Sequence, residues 1–372
     1  MRVSKLELHH FRNHTVTDLT LPDGVSVFVG ANGQGKTNLV EAVGYLAYGS
    51  SHRVSMDKAL VQHGHDHAVV RAQLRHHDRQ VDLACEIHAT GSNRAKIMGN
   101  TASTSDLGRL VHAVLFTPED LGLIRGEPAF RRRYLDHTLV VLHPHASSLI
   151  ADYDRVVKQR NALLKSNRGR PTKDLVATLR SWDERFIELA TSYTQLRRGA
   201  LAQIDQMTRA AYEKVAPGHS VSLGLDAGGL SQHVTDDTEV RASYQVQVEE
   251  VSAQEWDRGI TLVGPHRDDV GVLLNGLVAR THSSQGEAWS LALAMRMAQA
   301  MLYREESTTG DPVIILDDVL SELDRARREA LEDVVSDFEQ VLVTAAVWED
   351  VPRAFHGTVW DVVAGKVTQR ER

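Results

Sequence analysis

The chain has one cysteine, Cys85, so it forms no internal disulfide and suits a reducing cytosol. It has no apolar run approaching the roughly 20 residues needed to cross a bilayer, and none follows Met1-Arg2-Val3. It has no overall excess of positive charge. The formal net charge of −7 excludes a surface that is basic throughout. Internal repeats, low-complexity tracts and an aromatic-rich RNA-reading motif are also missing. These absences lead to the expectation of a soluble cytoplasmic protein. Any nucleic-acid contact would come from local patches, or from patches pooled by two chains. With 372 residues and 42% hydrophobic content, the chain exceeds one ordinary domain and can bury a sizeable core.

Histidine, by contrast, is abundant at nineteen residues. His63, His65 and His67 alternate, His76-His77 are adjacent, and His143 and His145 are close together. The alternation could put three imidazoles on one side of a strand. Without nearby cysteines or an H-E-x-x-H pattern, solvated loop histidines are the stronger reading and a metal site the weaker one.

The organising stretch is Gly30-Ala31-Asn32-Gly33-Gln34-Gly35-Lys36-Thr37, which fits G-x-x-x-x-G-K-[ST]. Val25–Val29 before it reads as a buried strand. Leu39, Val40, Val43 and Leu46 after it share one helix face, and the helix ends near Gly49-Ser50. A strand, a glycine loop and a helix N-terminus form an anion cradle. Backbone N–H groups converge on phosphate, the helix dipole favours negative charge, Lys36 reaches the outer phosphates, and the Thr37 hydroxyl can ligate Mg²⁺. A nucleoside triphosphate is the expected ligand, with Asn38 extending the loop.

Residues 3–8 and 15–21 read as strands joined by Phe11-Arg12-Asn13-His14. Val81, Leu83, Cys85 and Ile87 alternate as a half-buried strand, and Asn93–Met98 and Val111–Phe116 add two more. From Pro128 to about Ala216 the pattern is helical. Leu175, Leu179, Trp182, Phe186, Leu189, Tyr193 and Leu196 keep heptad spacing, as do Leu149, Tyr153, Val156, Arg160 and Leu163, with Arg160 a polar interruption. Ser166–Pro171 breaks the helix between them. Two readings stand: an antiparallel helical arm, or an ordinary helical subdomain with a buried stripe. After Gly218 the chain is less patterned, with Gly228-Gly229 and Thr235-Asp236-Asp237 as turn material. Asn275-Gly276 signals a hairpin, and a helix is expected over about 287–305. Val313–Leu316 is a second buried strand, followed by a helix from Ser321, a strand at Val341–Thr344 and a terminal hairpin.

Val313-Ile314-Ile315-Leu316-Asp317-Asp318 ends an apolar strand in two carboxylates. The first, Asp317, can hold the magnesium directly or through water, and the second, Asp318, can orient or deprotonate an attacking water. Asp317 lies 280 residues after Thr37, so the nucleotide site is built from both ends of the chain with the helical arm inserted. The expected division is residues 1–127 and 259–372 as the two parts of an ATPase head, with 128–258 as the arm. The fold class is α/β, a P-loop head with an inserted helical hairpin.

Ser283-Ser284-Gln285-Gly286-Glu287 resembles the signature motif of ATP-binding-cassette (ABC) ATPases, and Ser321-Glu322-Leu323-Asp324 resembles their D-loop. Within that superfamily the chain resembles the RecF family, bacterial recombination mediators related to the SMC proteins. The resemblance runs along nearly the whole chain. It is carried by Leu6-x-Leu8-x-x-Phe11-Arg12-Asn13, Gly30–Glu41, Phe116-x-Pro118-Glu119-Asp120-Leu121, Gly126-x-Pro128, Arg131-Arg132-Arg133-x-Leu135-Asp136 and Gly264-Pro265-His266-Arg267-Asp268-Asp269. Gly264–Asp269 and Arg131–Asp136 are the most specific, because other cassette ATPases lack them.

The resemblance implies a head-to-head homodimer closed by ATP, in which Ser284 and Gly286 of one chain donate to the γ-phosphate held by the other. It implies a weak, DNA-stimulated ATPase that clamps duplex DNA at gaps or single-strand/double-strand junctions. With RecR and RecO, such a protein promotes RecA loading. It also implies association with the nucleoid and no membrane. Arg12 and Asn13 are further nucleotide-side candidates. Candidate DNA-phosphate contacts are Arg131, Arg132, Arg133, Lys165, Arg168, Arg170 and Lys173, with Arg197-Arg198. Their binding would be backbone-driven and salt-dependent. Consecutive arginines on a helix point in different directions, so at least one of Arg131–Arg133 is expected to support the fold.

The chain departs from the pattern at three places. Val343-Thr344-Ala345-Ala346 stands where a switch histidine often lies, Asp318 is one methylene shorter than glutamate, and Glu119 or Asp120 stands in for a Q-loop glutamine. All three fit slow hydrolysis. Two rival classes are a cassette ATPase that scaffolds proteins without touching DNA, and a P-loop kinase acting on a small molecule.

Overall fold

The computed structural model describes residues 1–76, 79–169, 171–228, 230, 236–307 and 310–371. His77, Arg170, Gly229 and Thr235, singled out above, lie outside the described residues.

The first segment contains β1 (Arg2–Phe11), β2 (His14–Thr20), β3 (Gly24–Val29), α1 (Lys36–Tyr48), β4 (His67–His76), β5 (Arg79–His88), β6 (Arg94–Ile97), β7 (Asn100–Ala102), α2 (Thr104–Leu107) and β8 (Ala113–Phe116). Then come α3 (Gly122–Arg125), α4 (Pro128–Leu142), α5 (Ala146–Ser166), α6 (Lys173–Val215), β9 (Val221–Asp226), α7 (Asp237–Arg258), β10 (Asp269–Leu274), β11 (Leu277–Val278) and α8 (Ala279–His282). The last segment holds α9 (Gln285–Glu306), β12 (Val313–Asp317), α10 (Arg325–Val335), β13 (Gln340–Ala345), β14 (Thr358–Val363) and β15 (Lys366–Gln369). Among the described residues no helix is long and apolar enough to cross a membrane.

The chain divides into two compact units. The first comprises Met1–Leu121, Ala210–Gly218 and Gln285–Arg372, and the second Gly122–Arg209 and His219–Ser284. The expected boundaries therefore shift: residues 122–127 and 259–284 belong to the second unit rather than to the head segments, and Ala210–Gly218 of the expected arm belongs to the first. The cause is pairing, because β10 forms an antiparallel ladder with β9 and also packs on α4.

The first unit has two six-stranded sheets. One is antiparallel, in the order β2-β1-β4-β5-β6-β7. The other, β15-β14-β3-β13-β12-β8, is parallel except for β15. The apolar runs Val313–Leu316 and Val341–Val343 are buried throughout, as parallel strands covered on both faces require. Leu39, Val40, Val43 and Leu46 of α1 join Leu6, Leu8, Val70 and Cys85 of the antiparallel sheet to Leu115, Val313, Ile315 and Leu342 of the parallel one. Each fully buried Val or Leu stabilises this core by about 2 kcal/mol.

In the second unit α5 and α6 run antiparallel, with Tyr153 against Phe186 and Tyr193, Arg160 against Asp183, and Leu164 beside Leu179. The hairpin is not a two-helix structure. Trp256 of α7 completes the cluster with Leu164 and Leu179, so the arm and subdomain readings are both partly realised. Neither β9 nor α7 was expected. Val240, Tyr244 and Val248, four residues apart and buried after the Asp236 cap, were the overlooked signal for α7. The helix expected from Ser321 begins at Arg325, because Asp324 caps it and Val319–Glu322 forms a 3-10 turn.

Candidate nucleotide site

The order β14-β3-β13-β12 puts the strand leading into the glycine loop one place away from the strand ending in the two carboxylates, with β13 between them. Asp317 is in register with Thr344, and Thr344 with Phe28, so the ends of three parallel strands converge. Thr37 Oγ1 donates to Asp317 Oδ1 at 2.9 Å, and Thr344 Oγ1 donates to the same oxygen at 2.7 Å. Thr344 Oγ1 also accepts from the Asp318 amide at 2.9 Å. The strand end without a switch histidine thus contributes a hydroxyl that fixes both carboxylate-bearing residues.

Burial pushes the Asp317 carboxyl up to about 6, and the Thr344 hydrogen bond opposes this. Asp318 adopts a left-handed backbone conformation at φ 51°. Together with Asn32, Ser321, Thr344, Ala345 and Ala346, it lines a cavity of about 320 Å³. The two oxygens of Thr37 and Asp317 fit a hard divalent cation. Adjacent corners of an octahedral Mg²⁺ with ligands at about 2.0–2.1 Å lie about 2.9 Å apart.

Each predicted residue of the loop has a place. Lys36 is buried and its Nζ donates to Ala31 O at 3.3 Å. Gly35 has φ 113°, and a Cβ there would lie 2.7 Å from the Asn13 side chain, so only glycine serves. Gln34 is anchored on both sides: its carbonyl accepts from Asn13 Nδ2 at 2.9 Å, and its Oε1 from the Ala364 amide at 2.7 Å. Asn38 Nδ2 donates to Asn13 Oδ1 at 2.8 Å, so Asn13 braces the loop from behind.

Arg12 was placed on the nucleotide side, but its guanidinium forks onto the fully buried Glu41 at 2.9 and 2.8 Å. It neutralises a buried carboxylate of α1. Three contributors had not been singled out for this site. Thr344 is one. His14 is fully buried, with Nε2 3.0 Å from Gly35 O and Nδ1 2.9 Å from Gly365 O. Arg53 donates to Asn38 Oδ1 at 2.9 Å. Long-range register brought Thr344 in, and no local pattern marks Arg53.

Of the two Q-loop candidates, Asp120 is buried, its carboxylate accepting from the Thr117 amide and pairing with Arg296 at 2.7 Å. Residues Gln285 and Gly286 open α9 as the signature reading expects, and Ser284 before them is exposed. His63, His65 and His67 are exposed, and His65 stacks on His10 with ring centroids 3.6 Å apart.

The family model described as RecF/RecN/SMC N terminal domain matches residues 2–359. The DNA replication and repair protein RecF of Clavibacter sepedonicus is 44% identical, over 99% of this chain and 95% of its own length. That of Streptomyces avermitilis is 41% identical over 99% of each chain. The chain belongs to the RecF family.

Two solved structures, one of a RecF and one of an SMC head, extend the likeness to the fold. The recombination mediator RecF with ATP, of the RecFOR pathway, has a TM-score of 0.90 and 27% identity, covering 99% of this chain and 97% of that one. An SMC head domain with an extended coiled coil from Pyrococcus furiosus has a TM-score of 0.56 at 17% identity, covering 99% of this chain and 96% of that one. This second likeness shows the shared ATPase-head fold. The chain therefore has the ABC-type head of the RecF and SMC proteins, and the family's association with ATP agrees with the cradle described above.

Several predicted DNA contacts need correction. Arg131 is 3% exposed and forks onto Asp269 at 2.7 and 2.8 Å, with Nη1 donating to Leu123 O and Gly126 O. Arg197 is 1% exposed between Asp136, Pro265 O and Asp268. Both are removed from the DNA candidates because their donors are consumed inside the second unit. Arg132 donates to Asp268 O at 2.7 Å and is half-buried. Arg133, Lys165, Arg168 and Lys173 are exposed, although Arg168 also donates to Asp257 O. Arg155 and Lys158 join Lys165 on the exposed side of α5, at helical spacing.

Proposed function

We propose that this chain is an ATP-dependent DNA-binding protein of recombinational repair whose slow ATPase times its release from DNA. The observation that carries the reading is the bond between Thr37 and Asp317, which joins the phosphate loop to the second nucleotide motif across 280 residues. Backbone N–H groups of the loop and Lys36 bind the phosphates. Thr37 and Asp317 would hold Mg²⁺, which supplies positive charge to the phosphate oxygens. Asp318, aimed into the cavity it shares with Asn32, orients the attacking water and takes its proton. Its short side chain limits the rate.

Ser284 and Gly286 of one chain complete the site of a second, giving a head-to-head dimer. That dimer clamps duplex DNA near gaps or single-strand/double-strand junctions through exposed cations such as Arg133, Lys158, Lys165, Arg168 and Lys173. RecO and RecR are the partners, RecA loading is the outcome, and the cytoplasm, at the nucleoid, is the location. A scaffold that never touches DNA is the second reading. The burial of Arg131 and Arg197 and the net charge of −7 favour it.

Duplex-DNA titration of wild type and Lys36→Met, with and without ATP, separates the two. ATP-enhanced binding by wild type alone supports the clamp. Failure of wild type to bind DNA with ATP supports the scaffold.

A further inference from the structure

Arg327, in the first turn of α10, spends its whole guanidinium on two helix starts. Its Nη2 donates to Gly286 O at 2.9 Å and its Nε to Ser290 Oγ at 2.8 Å, both in the first turns of α9. Its Nη1 pairs with the carboxylate of Asp324, the residue that caps α10 through a 3.0 Å bond from the Arg327 amide. Ser290 is 2% exposed, so its hydroxyl has no ready exchange with water. A Cβ at position 286 would lie 2.8 Å from Arg327 Nη2. Glycine at 286 therefore has a reason within its own chain, which is to leave room for the guanidinium.

A cation between two helix N-termini faces their positive ends, an unfavourable place. It is held there by the Asp324 carboxylate, the Gly286 carbonyl and the Ser290 hydroxyl. The planar fork suits three acceptors in different directions, and an ammonium would not. The two helix starts carry Ser284-Gln285-Gly286, which the proposed dimer offers to its partner, and Ser321–Asp324, the D-loop-like segment that leads into α10.

We propose that Arg327 is a positioning residue for the composite ATP site. It locks the signature turn of α9 to the D-loop cap of α10, so that both meet the partner chain as one rigid element. Arg327 touches no nucleotide. This inference rests on the dimer reading above, and the experiment distinguishes the two.

The dimer dissociation constant is measured with ATP and Mg²⁺ by sedimentation for wild type, Arg327→Ala, Arg327→Lys and Ser290→Ala. Binding of a fluorescent ATP analogue is measured in parallel on dilute, monomeric protein. The expected result is ATP binding within about twofold of wild type for all variants, with dimerisation weakened about tenfold or more in Arg327→Ala and Arg327→Lys. A smaller loss of the same kind is expected in Ser290→Ala. The Ser290→Ala, Arg327→Ala double variant should be no worse than Arg327→Ala alone, a non-additivity that general loosening would not produce. If wild type dimerises and both Arg327 variants dimerise equally well, the proposal is overturned. If ATP binding falls in step with dimerisation, Arg327 supports the fold instead, which also overturns it. If wild type stays monomeric, the dimer reading itself fails. Should Arg327→Ala not fold, Arg327→Lys and Ser290→Ala decide the matter.

Discussion

Arg131 and Asp269, 138 residues apart in the chain, meet as a two-pronged ion pair, Nε to Oδ1 at 2.7 Å and Nη2 to Oδ2 at 2.8 Å. They belong to the two most family-specific motifs of the sequence. Neighbouring residues of both motifs also interlock, with Arg132 on Asp268 O and Asp136 sharing Arg197 with Asp268. These letters report how the second unit is held together. With Arg131 and Arg197 buried, these motifs give no support to DNA contact.

Removing Arg131 leaves Asp269 and two carbonyls without their donor. Arg131→Ala should therefore cost about 3 kcal/mol of stability, while Arg133→Ala, at an exposed site, should stay within about 0.5 kcal/mol. Urea unfolding of the two variants beside wild type measures the contrast. Equal, small losses would show that the pair contributes little.

If exposed cations of α5 and the α5–α6 turn contact DNA phosphates, each one removed should lower the slope of log K against log salt by about 0.9. Lys158→Ala, Lys165→Ala and Arg168→Ala are the variants, with binding measured over a salt series. A soluble, folded Arg131 variant with an unchanged slope is the matching expectation for a buried residue.

Much of the fold was legible because its signals are local. The glycine loop, the apolar strand before Asp317 and the Asn275-Gly276 hairpin each declare themselves within about ten residues. Long-range charge pairing was not. Arg160 looked like a flaw in a heptad seam, yet it is fully buried, with Asp183 at 2.7 Å and Glu255 at 3.0 Å. Glu255 lies on α7, a helix that the sequence reading missed, so its partner was invisible too. Arg12 likewise has a partner that no local pattern marks, because Glu41, 29 residues on, holds it. Thr344 was read as the absence of a histidine, and its actual role depends on strand order.

Thr344→Val tests that role. Without the hydroxyl, Asp317 loses a donor at 2.7 Å and the Asp318 amide loses its acceptor. ATP turnover should fall by about 10–100-fold, as for other residues that orient a metal ligand, with ATP affinity much less affected. Steady-state turnover and nucleotide binding check the split. Normal turnover would remove Thr344 from the site's working parts.

Acid stability should carry the mark of His112. Burial lowers its pKa to about 4, and its Nδ1 lies 2.9 Å from Ser307 Oγ. The folded state keeps the ring neutral while the unfolded chain takes up a proton below about pH 6.5. Stability is therefore lost as pH falls from about 6.5 to about 4, by about 3 kcal/mol in all. Asp317, raised to about 6, works in the opposite direction, so the comparison must be differential. His112→Gln should flatten the decline over that window relative to wild type in chemical denaturation at stepped pH. An unchanged decline would assign it elsewhere.

The central claim is that the phosphate loop is half of a site completed by Ser284 and Gly286 of a second molecule. Sedimentation of wild type, Lys36→Met and Ser284→Arg with ATP and duplex DNA tests it most directly. The account predicts an ATP-dependent dimer for wild type and monomers for both variants, with Ser284→Arg still binding ATP at its own loop. A wild type that stays monomeric with ATP, or a Ser284→Arg variant that dimerises fully, would contradict it.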